Sequence, residues 1–227
     1  MIYLILSAFV YFIPGLWVNY TLNKHNDILP NMPFTAKEFG EQLLKEKGLD
    51  DVKIETTKDG DQYDLTDKAV RVEPSRLDRK SLTSITVMCH EIGHAIQHKE
   101  KYPPLERRFK IAKVTNFLTK LATGIGYIGI PAILATGALP LIRICLILVF
   151  ASVLISMIIH LITLDVELDA SFKRAMPILE KKIPTEYHSA CKSILRVCAF
   201  TYVIASLTSI LKVRNLWMFV RIFLFRR

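Results

Sequence analysis

Charged side chains are absent from three long stretches of this sequence, at residues 1–20, 121–142 and 144–164. An apolar run of about 20 residues can cross the hydrocarbon core of a bilayer as a helix. The whole chain is 51% hydrophobic, which is more than an ordinary water-soluble domain contains. These runs predict a polytopic membrane protein with three crossings.

A fourth apolar run, residues 197–211, is too short for an ordinary crossing. It fits a short span, a re-entrant segment or a helix in the membrane interface. The first run lacks the basic start and the small-residue cleavage site of a signal peptide, so we expect a retained anchor.

Cysteine pairs with the spacing of a redox or metal motif are also absent. The four cysteines are Cys89, Cys145, Cys191 and Cys198, with no CxxC spacing among them. We expect reduced thiols packed among apolar side chains, and we exclude a secreted domain held together by disulfide bonds.

The formal net charge is +9, and the basic residues lie mainly in the segment before the central apolar runs. More than half of the 30 basic residues lie at positions 21–120, whereas only Arg143 separates the two central runs. The positive-inside rule therefore places the polar segment in the cytoplasm, and basic residues beside a span predict contact with anionic lipid headgroups. No basic motif with interleaved aromatic residues is present, so we expect no nucleic-acid partner.

The strongest functional signal is the pentapeptide His90-Glu91-Ile92-Gly93-His94. On an α-helix, residues four apart share one side and lie about 6 Å apart along the axis, so both imidazoles can aim at one metal ion. Glu91 projects from the adjoining flank, where its carboxylate can take a proton from a metal-activated water. We predict His90 and His94 as zinc ligands and Glu91 as the catalytic general base.

The predicted helix around this motif runs from about Asp78, its N-cap, to about Lys99. Its apolar stripe consists of Ile85, Cys89, Ile92 and Ile96. The histidines lie on the opposite, polar side, which suits the floor of a cleft. Gly93 and Ala95 are small enough for a substrate backbone or a neighbouring helix to come close.

Upstream of this helix, the sequence predicts another helix and a small antiparallel sheet. The capping box at residues 35–38 opens a helix that Gly48 ends. Three short strands are predicted, at residues 52–56, 63–65 and 69–72. The last strand, extended to residue 73, is our candidate for an edge that binds a peptide substrate, or it is an ordinary structural strand.

A mononuclear zinc site needs a third protein ligand. The two central apolar runs predict a hairpin, so the chain beyond residue 164 returns to the membrane face that carries the HExxH helix. Asp165, Glu167 and Asp169 lie there, and acids at a membrane boundary require solvent or a partner. We predict Glu167 as the third ligand, with Asp165 and Asp169 as alternatives for a ligand or a supporting role.

Three segments carry a resemblance to a known family: residues 90–98 (HEIGHAIQH), Tyr63-Asp64 and residues 166–171 (VELDAS). Together they resemble the YugP-type neutral zinc metallopeptidases, bacterial membrane proteases that are more distantly similar to the HtpX and CAAX prenyl protease group. The resemblance implies zinc, peptidase chemistry and a third zinc ligand from an E-x-x-A pattern, which begins at Glu167 here. The aspartate that commonly follows that alanine is Ser171 in this chain.

Two further histidines receive other roles. His98 extends the stripe of His90 and His94, but it lies about 12 Å along the helix axis from His90, too far for one shared ion. We predict a surface or supporting role for His98, and hydrogen bonding within the helix bundle or near the site for His160.

Three other functions match parts of the sequence. An intramembrane site-2 protease carries HExxH inside a span, whereas this motif lies in a charged segment. A non-catalytic membrane adaptor with a structural zinc site would use four ligands and would not need Glu91. A basic membrane-surface or nucleic-acid-binding protein would need no metal.

We therefore predict a mainly α-helical, polytopic membrane bundle with a zincin-like α+β catalytic segment. The predicted segments are an anchor (1–20), a cytoplasmic zincin-like segment (21–120), a transmembrane hairpin (121–164), the helix with the third ligand (165–193) and a membrane-embedded or interfacial end (194–227). The predicted activity is gluzincin-like, Zn2+-dependent hydrolysis of membrane or membrane-proximal proteins and peptides at the cytoplasmic face of the cell membrane. The sequence leaves a homo-oligomer open.

Overall fold

The structure, a computed structural model, describes residues 2–137, 140–201 and 204. Two compact units are present. The sheet unit comprises Pro14–Glu106 and Leu164–Thr201, and the helical unit comprises Arg107–Thr163 with the residues through Ile13. Most of the apolar run 197–211 and the side chain of His160 lie outside the described residues, so the predictions made for them stay predictions.

Helices dominate both units, which confirms the mainly helical prediction. The helices are α1 (Ile2–Lys24), α2 (Ala36–Glu46), α3 (Pro74–Leu77), α4 (Leu82–Lys99), α5 (Pro103–Gly124), α6 (Ile130–Thr136), α7 (Pro140–Ile162), α8 (Leu164–Leu168), α9 (Met176–Lys182) and α10 (188–201). π-Helical segments join α5 to α6 (Ile125–Gly129) and α8 to α9 (Asp169–Ala175), and a 3-10 turn (Thr185–Tyr187) precedes α10. The strands are β1 (Lys53–Thr56), β2 (Gln62–Asp64) and β3 (Ala69–Val72).

Within the described residues, one continuous helix is long and apolar enough to cross a membrane, judged by length and composition. It runs from Pro103 to Thr136. It ends where Gly137 adopts a φ of 72°, which glycine tolerates without strain, and α7 then begins at Pro140. Arg143 therefore lies inside α7. The predicted boundary at Arg143 is wrong because the glycine and the proline interrupt the helix earlier, and the arrangement with three crossings stays a prediction.

The sheet has the strand order β1-β3-β2. β2 and β3 pair antiparallel with Tyr63 opposite Val70, but β1 runs parallel to β3 with Ile54 opposite Val70. The prediction of an antiparallel sheet is therefore wrong for β1, because the chain forms β2 on the far side of β3 before it returns beside β1. The predicted edge strand is also wrong: β3, whose Ala69, Val70 and Val72 are buried, takes the central position that suits the most apolar strand.

Capping side chains set the starts of two helices in the sheet unit. The predicted capping box of α2 is confirmed, since the Glu38 N–H donates to Thr35 Oγ1 at 3.2 Å and the Thr35 N–H donates to the Glu38 carboxylate at 2.7 Å. Helix α4 starts later than predicted, with Ser81 as the N-cap that accepts from the Ser84 N–H at 3.1 Å. Asp78, the predicted cap, ends α3 instead, so the chain needs a new cap for α4.

Helix α4 is the central helix of the sheet unit and is buried along nearly its whole length. The predicted apolar stripe lies in the core, at Ile85, Cys89, Ile92 and Ile96. Burial raises the pKa of the Cys89 thiol, which fits the expected packed and reduced cysteine. The polar side of α4 is buried as well, so the site on that side faces protein instead of lying open to solvent.

Candidate metal centre

Helix α4 places His90 and His94 one turn apart on its polar side. Their rings meet edge to face, with 4.8 Å between the centroids. Both side chains are buried, with exposed fractions of 4% for His90 and 6% for His94. The i,i+4 spacing thus places two neighbouring nitrogen donors inside the protein.

Glu167 on α8 brings a carboxylate to both imidazoles. Its Oε2 lies 3.3 Å from Nε2 of His90 and 3.3 Å from Nε2 of His94. The ligand atoms of the three residues all lie within 4.8 Å of one another, so this cluster could hold a metal ion. Of the two alternatives, Asp165 is exposed, and Asp169 is buried but accepts hydrogen bonds from other side chains.

The cluster has the donor set and the spacing of a zinc site. Two imidazole nitrogens and one carboxylate oxygen are the protein ligands of a well-known class of catalytic zinc sites. Zinc bonds of about 2.0–2.1 Å in a tetrahedron separate two donor atoms by about 3.3 Å, which matches the distance from Glu167 to each histidine. Three protein ligands leave the fourth position for water or substrate.

The second ring nitrogen of each histidine also has a hydrogen-bond partner. Nδ1 of His90 lies 3.0 Å from the hydroxyl of Ser171, and Nδ1 of His94 lies 3.0 Å from the amide oxygen of Gln97. Such partners orient metal-binding imidazoles. Sequence reasoning left the role of Ser171 open and missed Gln97, for which the i,i+3 spacing from His94 was the available signal.

Because each Nδ1 lies against one of these partners, Nε2 of each ring faces Glu167. A neutral imidazole carries a single N–H, so an Nδ1 that donates leaves a lone pair on Nε2. A lone pair and a carboxylate oxygen that face each other in a buried site are costly unless a cation lies between them. The arrangement therefore suits a metal ion shared by His90, His94 and Glu167.

Gly93 lets the π-helical segment Asp169–Ala175 approach α4. The backbone of Ala170 lies directly against Gly93, in the place that a larger side chain would occupy. The small size of Gly93 was expected to admit a substrate backbone or a neighbouring helix, and a neighbouring helix is observed there. Because Ala170 lies between Glu167 and Ser171 in sequence, this contact brings both of them to the histidines.

Glu91 and His98 lie on α4 outside the cluster of three donors. Glu91 follows His90 directly and is 6% exposed. Nδ1 of His98 lies 2.8 Å from the hydroxyl of Tyr63. Burial raises the pKa of Tyr63 to about 12, so the phenol keeps its proton, and the hydrogen bond gives His98 a supporting contact.

Comparisons with known proteins agree with this geometry. A family model described as "Putative neutral zinc metallopeptidase" matches residues 1–223. The chain is 33% identical over 210 residues to "Putative membrane protease YugP" of Bacillus subtilis (strain 168), with 91% of this chain and 88% of that protein covered. No solved structure matches the chain at a significant level. The resemblance inferred from the motifs and the expectation of zinc are confirmed.

Proposed function

Because the chain belongs to the neutral zinc metallopeptidase family, we propose that it hydrolyses peptide bonds of membrane or membrane-proximal proteins with Glu91 as the general base. The observation that carries the proposal is the buried cluster of His90, His94 and Glu167, whose donor atoms lie within 4.8 Å of one another. In this proposal the three residues are the zinc ligands, which makes the site gluzincin-like.

The proposed catalytic role of Glu91 follows from its place on α4. It lies next to His90 in sequence, about 100° around the helix axis from that ligand. From there its carboxylate accepts a proton from the attacking water and returns it to the leaving amine. A zinc ion held by the three ligands would supply a Lewis acid that acidifies the water and polarises the scissile carbonyl.

Two observations support a substrate at the membrane. Helix α4 ends at Lys99 and the candidate membrane helix begins at Pro103, so the HExxH helix leads directly into the apolar one along the chain. The relative with 33% identity is named a membrane protease. The concentration of basic residues at positions 21–120 supports a cytoplasmic site between the proposed anchor and the proposed hairpin.

The test compares Glu91→Gln with the wild-type chain purified in detergent. We expect an unchanged zinc-to-protein ratio and a loss of peptide hydrolysis of about 10²- to 10⁴-fold, because the amide binds no proton. Glu41→Gln on the exposed side of α2 is the matched control and should keep both properties.

Two results would contradict the proposal. Full proteolysis by Glu91→Gln with its zinc retained would remove Glu91 from the mechanism. A wild-type chain that binds zinc in a closed four-ligand site, and whose cellular role survives Glu91→Gln, would favour the non-catalytic adaptor.

A further inference from the structure

Gln97 is completely buried, although a glutamine amide is costly to remove from water. All of its polar atoms have partners within the sheet unit. Its Nε2 donates to the backbone carbonyl of Val166 at 2.9 Å and to Oδ2 of Asp169 at 2.8 Å. Its Oε1 lies 3.0 Å from Nδ1 of His94.

The orientation of this amide follows from its partners. The Val166 carbonyl and the Asp169 carboxylate are acceptors only, so both must face the NH₂ group of Gln97. The amide oxygen is then left for His94, and an oxygen can only accept. Nδ1 of His94 must therefore carry the proton, which leaves the Nε2 lone pair directed at the metal centre.

Asp169 in turn is held by Arg174. Nε of Arg174 donates to Oδ2 of Asp169 at 3.0 Å, and its NH1 contacts the Glu100 carboxylate. Asp169 is 4% exposed, whereas the Arg174 side chain is 17% exposed. A continuous series of hydrogen bonds thus runs from the partly exposed guanidinium to the imidazole; we call it the relay, and it consists of Arg174, Asp169, Gln97 and His94.

The other histidine has no comparable support. Its partner Ser171 is a hydroxyl, which can either donate or accept. The hydroxyl orients the His90 ring but does not by itself select one tautomer. The selection is therefore specific to His94.

We propose that Gln97 is a positioning residue that holds His94 in its Nδ1–H tautomer, and that Asp169 and Arg174 keep the Gln97 amide in the orientation this requires. The inference rests on the proposed function only in taking His94 as a zinc ligand. A purely structural role for Gln97 would be to satisfy the Val166 carbonyl, and the experiment must separate the two.

The first comparison is Gln97→Met against wild type, with the full chain in detergent. Methionine fills a similar volume but offers His94 no strong acceptor. Zinc affinity, measured by competition with a chromophoric chelator, should fall about 10- to 100-fold. Gln42→Met at an exposed site on α2 should leave the affinity unchanged.

A charge swap, which moves the negative charge from residue 169 to residue 97, tests whether zinc affinity is recovered. In Gln97→Glu, the new carboxylate would face Asp169 at the position of a 2.8 Å hydrogen bond, and the like charges should lower zinc affinity. Adding Asp169→Asn removes the like charge and places an amide donor opposite that carboxylate, at the loss of the acceptor atom that Arg174 shares with Gln97. The double variant should bind zinc about tenfold more tightly than Gln97→Glu alone, although Val166 lacks its donor in both.

Nitrogen NMR of ¹⁵N-histidine-labelled protein without metal reads the tautomer directly. In the wild type at a pH where His94 is neutral, the His94 signals, assigned with His94→Gln, should show a protonated Nδ1. In Gln97→Met they should show a mixture of tautomers. Arg174→Met, at the partly exposed end of the relay, should change the same signals in the same direction and serves if Gln97→Met fails to fold.

The outcomes separate the relay from the catalytic proposal. The relay is overturned if folded Gln97→Met binds zinc within about twofold of wild type, or if the charge swap gives no recovery. A protonated Nε2 on wild-type His94 would overturn it as well. A wild-type chain that binds zinc but cleaves no peptide would instead overturn the proposed function and leave the affinity comparisons intact.

Discussion

A methyl group on Gly93 would lie 2.8 Å from the backbone carbonyl oxygen of Ala170. A Cβ atom does not approach a backbone oxygen so closely, so one of the two backbones would have to move. Glu167 precedes Ala170 by three residues and contacts both His90 and His94. Ser171 directly follows Ala170 and contacts His90. The fit between these two small residues therefore sets the distance between the two halves of the candidate metal centre.

The first prediction concerns Gly93→Ala. The added methyl should push the π-helical segment away from α4, lower the stability by about 1–3 kcal/mol and reduce zinc affinity, because Glu167 moves with the segment. Thermal unfolding and zinc titration would measure the two effects. Gly15→Ala, where an added Cβ meets no atom within 4 Å, is the control; equal behaviour of the two variants would contradict the close fit.

The second prediction concerns the third ligand. Glu167→Ala should bind much less zinc than wild type, because only two protein donors would be left in the cluster. Metal analysis after gel filtration would measure the ratio of zinc to protein. Asp165→Ala, at an exposed neighbouring site, should retain the wild-type ratio. If Glu167→Ala also retained it, the third ligand would have to be sought at another acid such as Asp169.

The third prediction concerns the partner of His90. Ser171→Ala removes the hydroxyl at 3.0 Å from Nδ1 and should weaken zinc binding by about 10- to 100-fold. Ser171→Asp offers a carboxylate acceptor at the same position and should bind zinc more tightly than the alanine variant. Chelator competition would rank the three proteins. An alanine variant with wild-type affinity would show that His90 needs no support from this residue.

The fourth prediction is a pH dependence of stability at the start of α2. The backbone N–H of Thr35, followed by its hydroxyl, lowers the pKa of Glu38 below the ordinary value of 4.5. A lowered pKa in the folded state adds stability above the unfolded pKa, and this contribution disappears as the pH falls through the folded pKa. The unfolding temperature of Glu38→Ala should therefore be lower than that of the wild type at neutral pH. At about pH 3 the difference between the two proteins should be much smaller. A difference of the same size at both pH values would contradict the assignment.

The two histidines could be predicted from the sequence because their geometry is local. Four residues of helix decide which side His90 and His94 share, and no distant contact is needed. The prediction of Glu167 required information from distant parts of the sequence, because the hairpin and the E-x-x-A pattern together indicated a short acidic segment. The sequence favoured Glu167 over Asp165, and the packing of that segment against α4 leaves Asp165 exposed and brings Glu167 to the histidines.

Gln97 and the direction of β1 were beyond the reach of local patterns. The amide of Gln97 binds Val166 and Asp169, which lie 69 and 72 residues further along the chain. The i,i+3 spacing from His94 indicates one contact along the helix, but it does not distinguish a buried glutamine from a solvated one. In the same way, alternation of side chains shows which face of a strand is buried, but a parallel and an antiparallel neighbour leave the same pattern.

The π-helical winding of Asp169–Ala175 makes the length of this segment as important as its residues. Hydrogen bonds in a π-helix join residues five apart, and this winding brings Arg174 to the carboxylate of Asp169 at 3.0 Å. If one residue were deleted here and the segment returned to α-helical winding, residues four apart would meet, and Arg174 would no longer lie against the carboxylate of Asp169. A deletion that spared every proposed metal ligand would therefore still remove this support, and a gap aligned between Glu167 and Met176 in a relative would mark a site that lacks it.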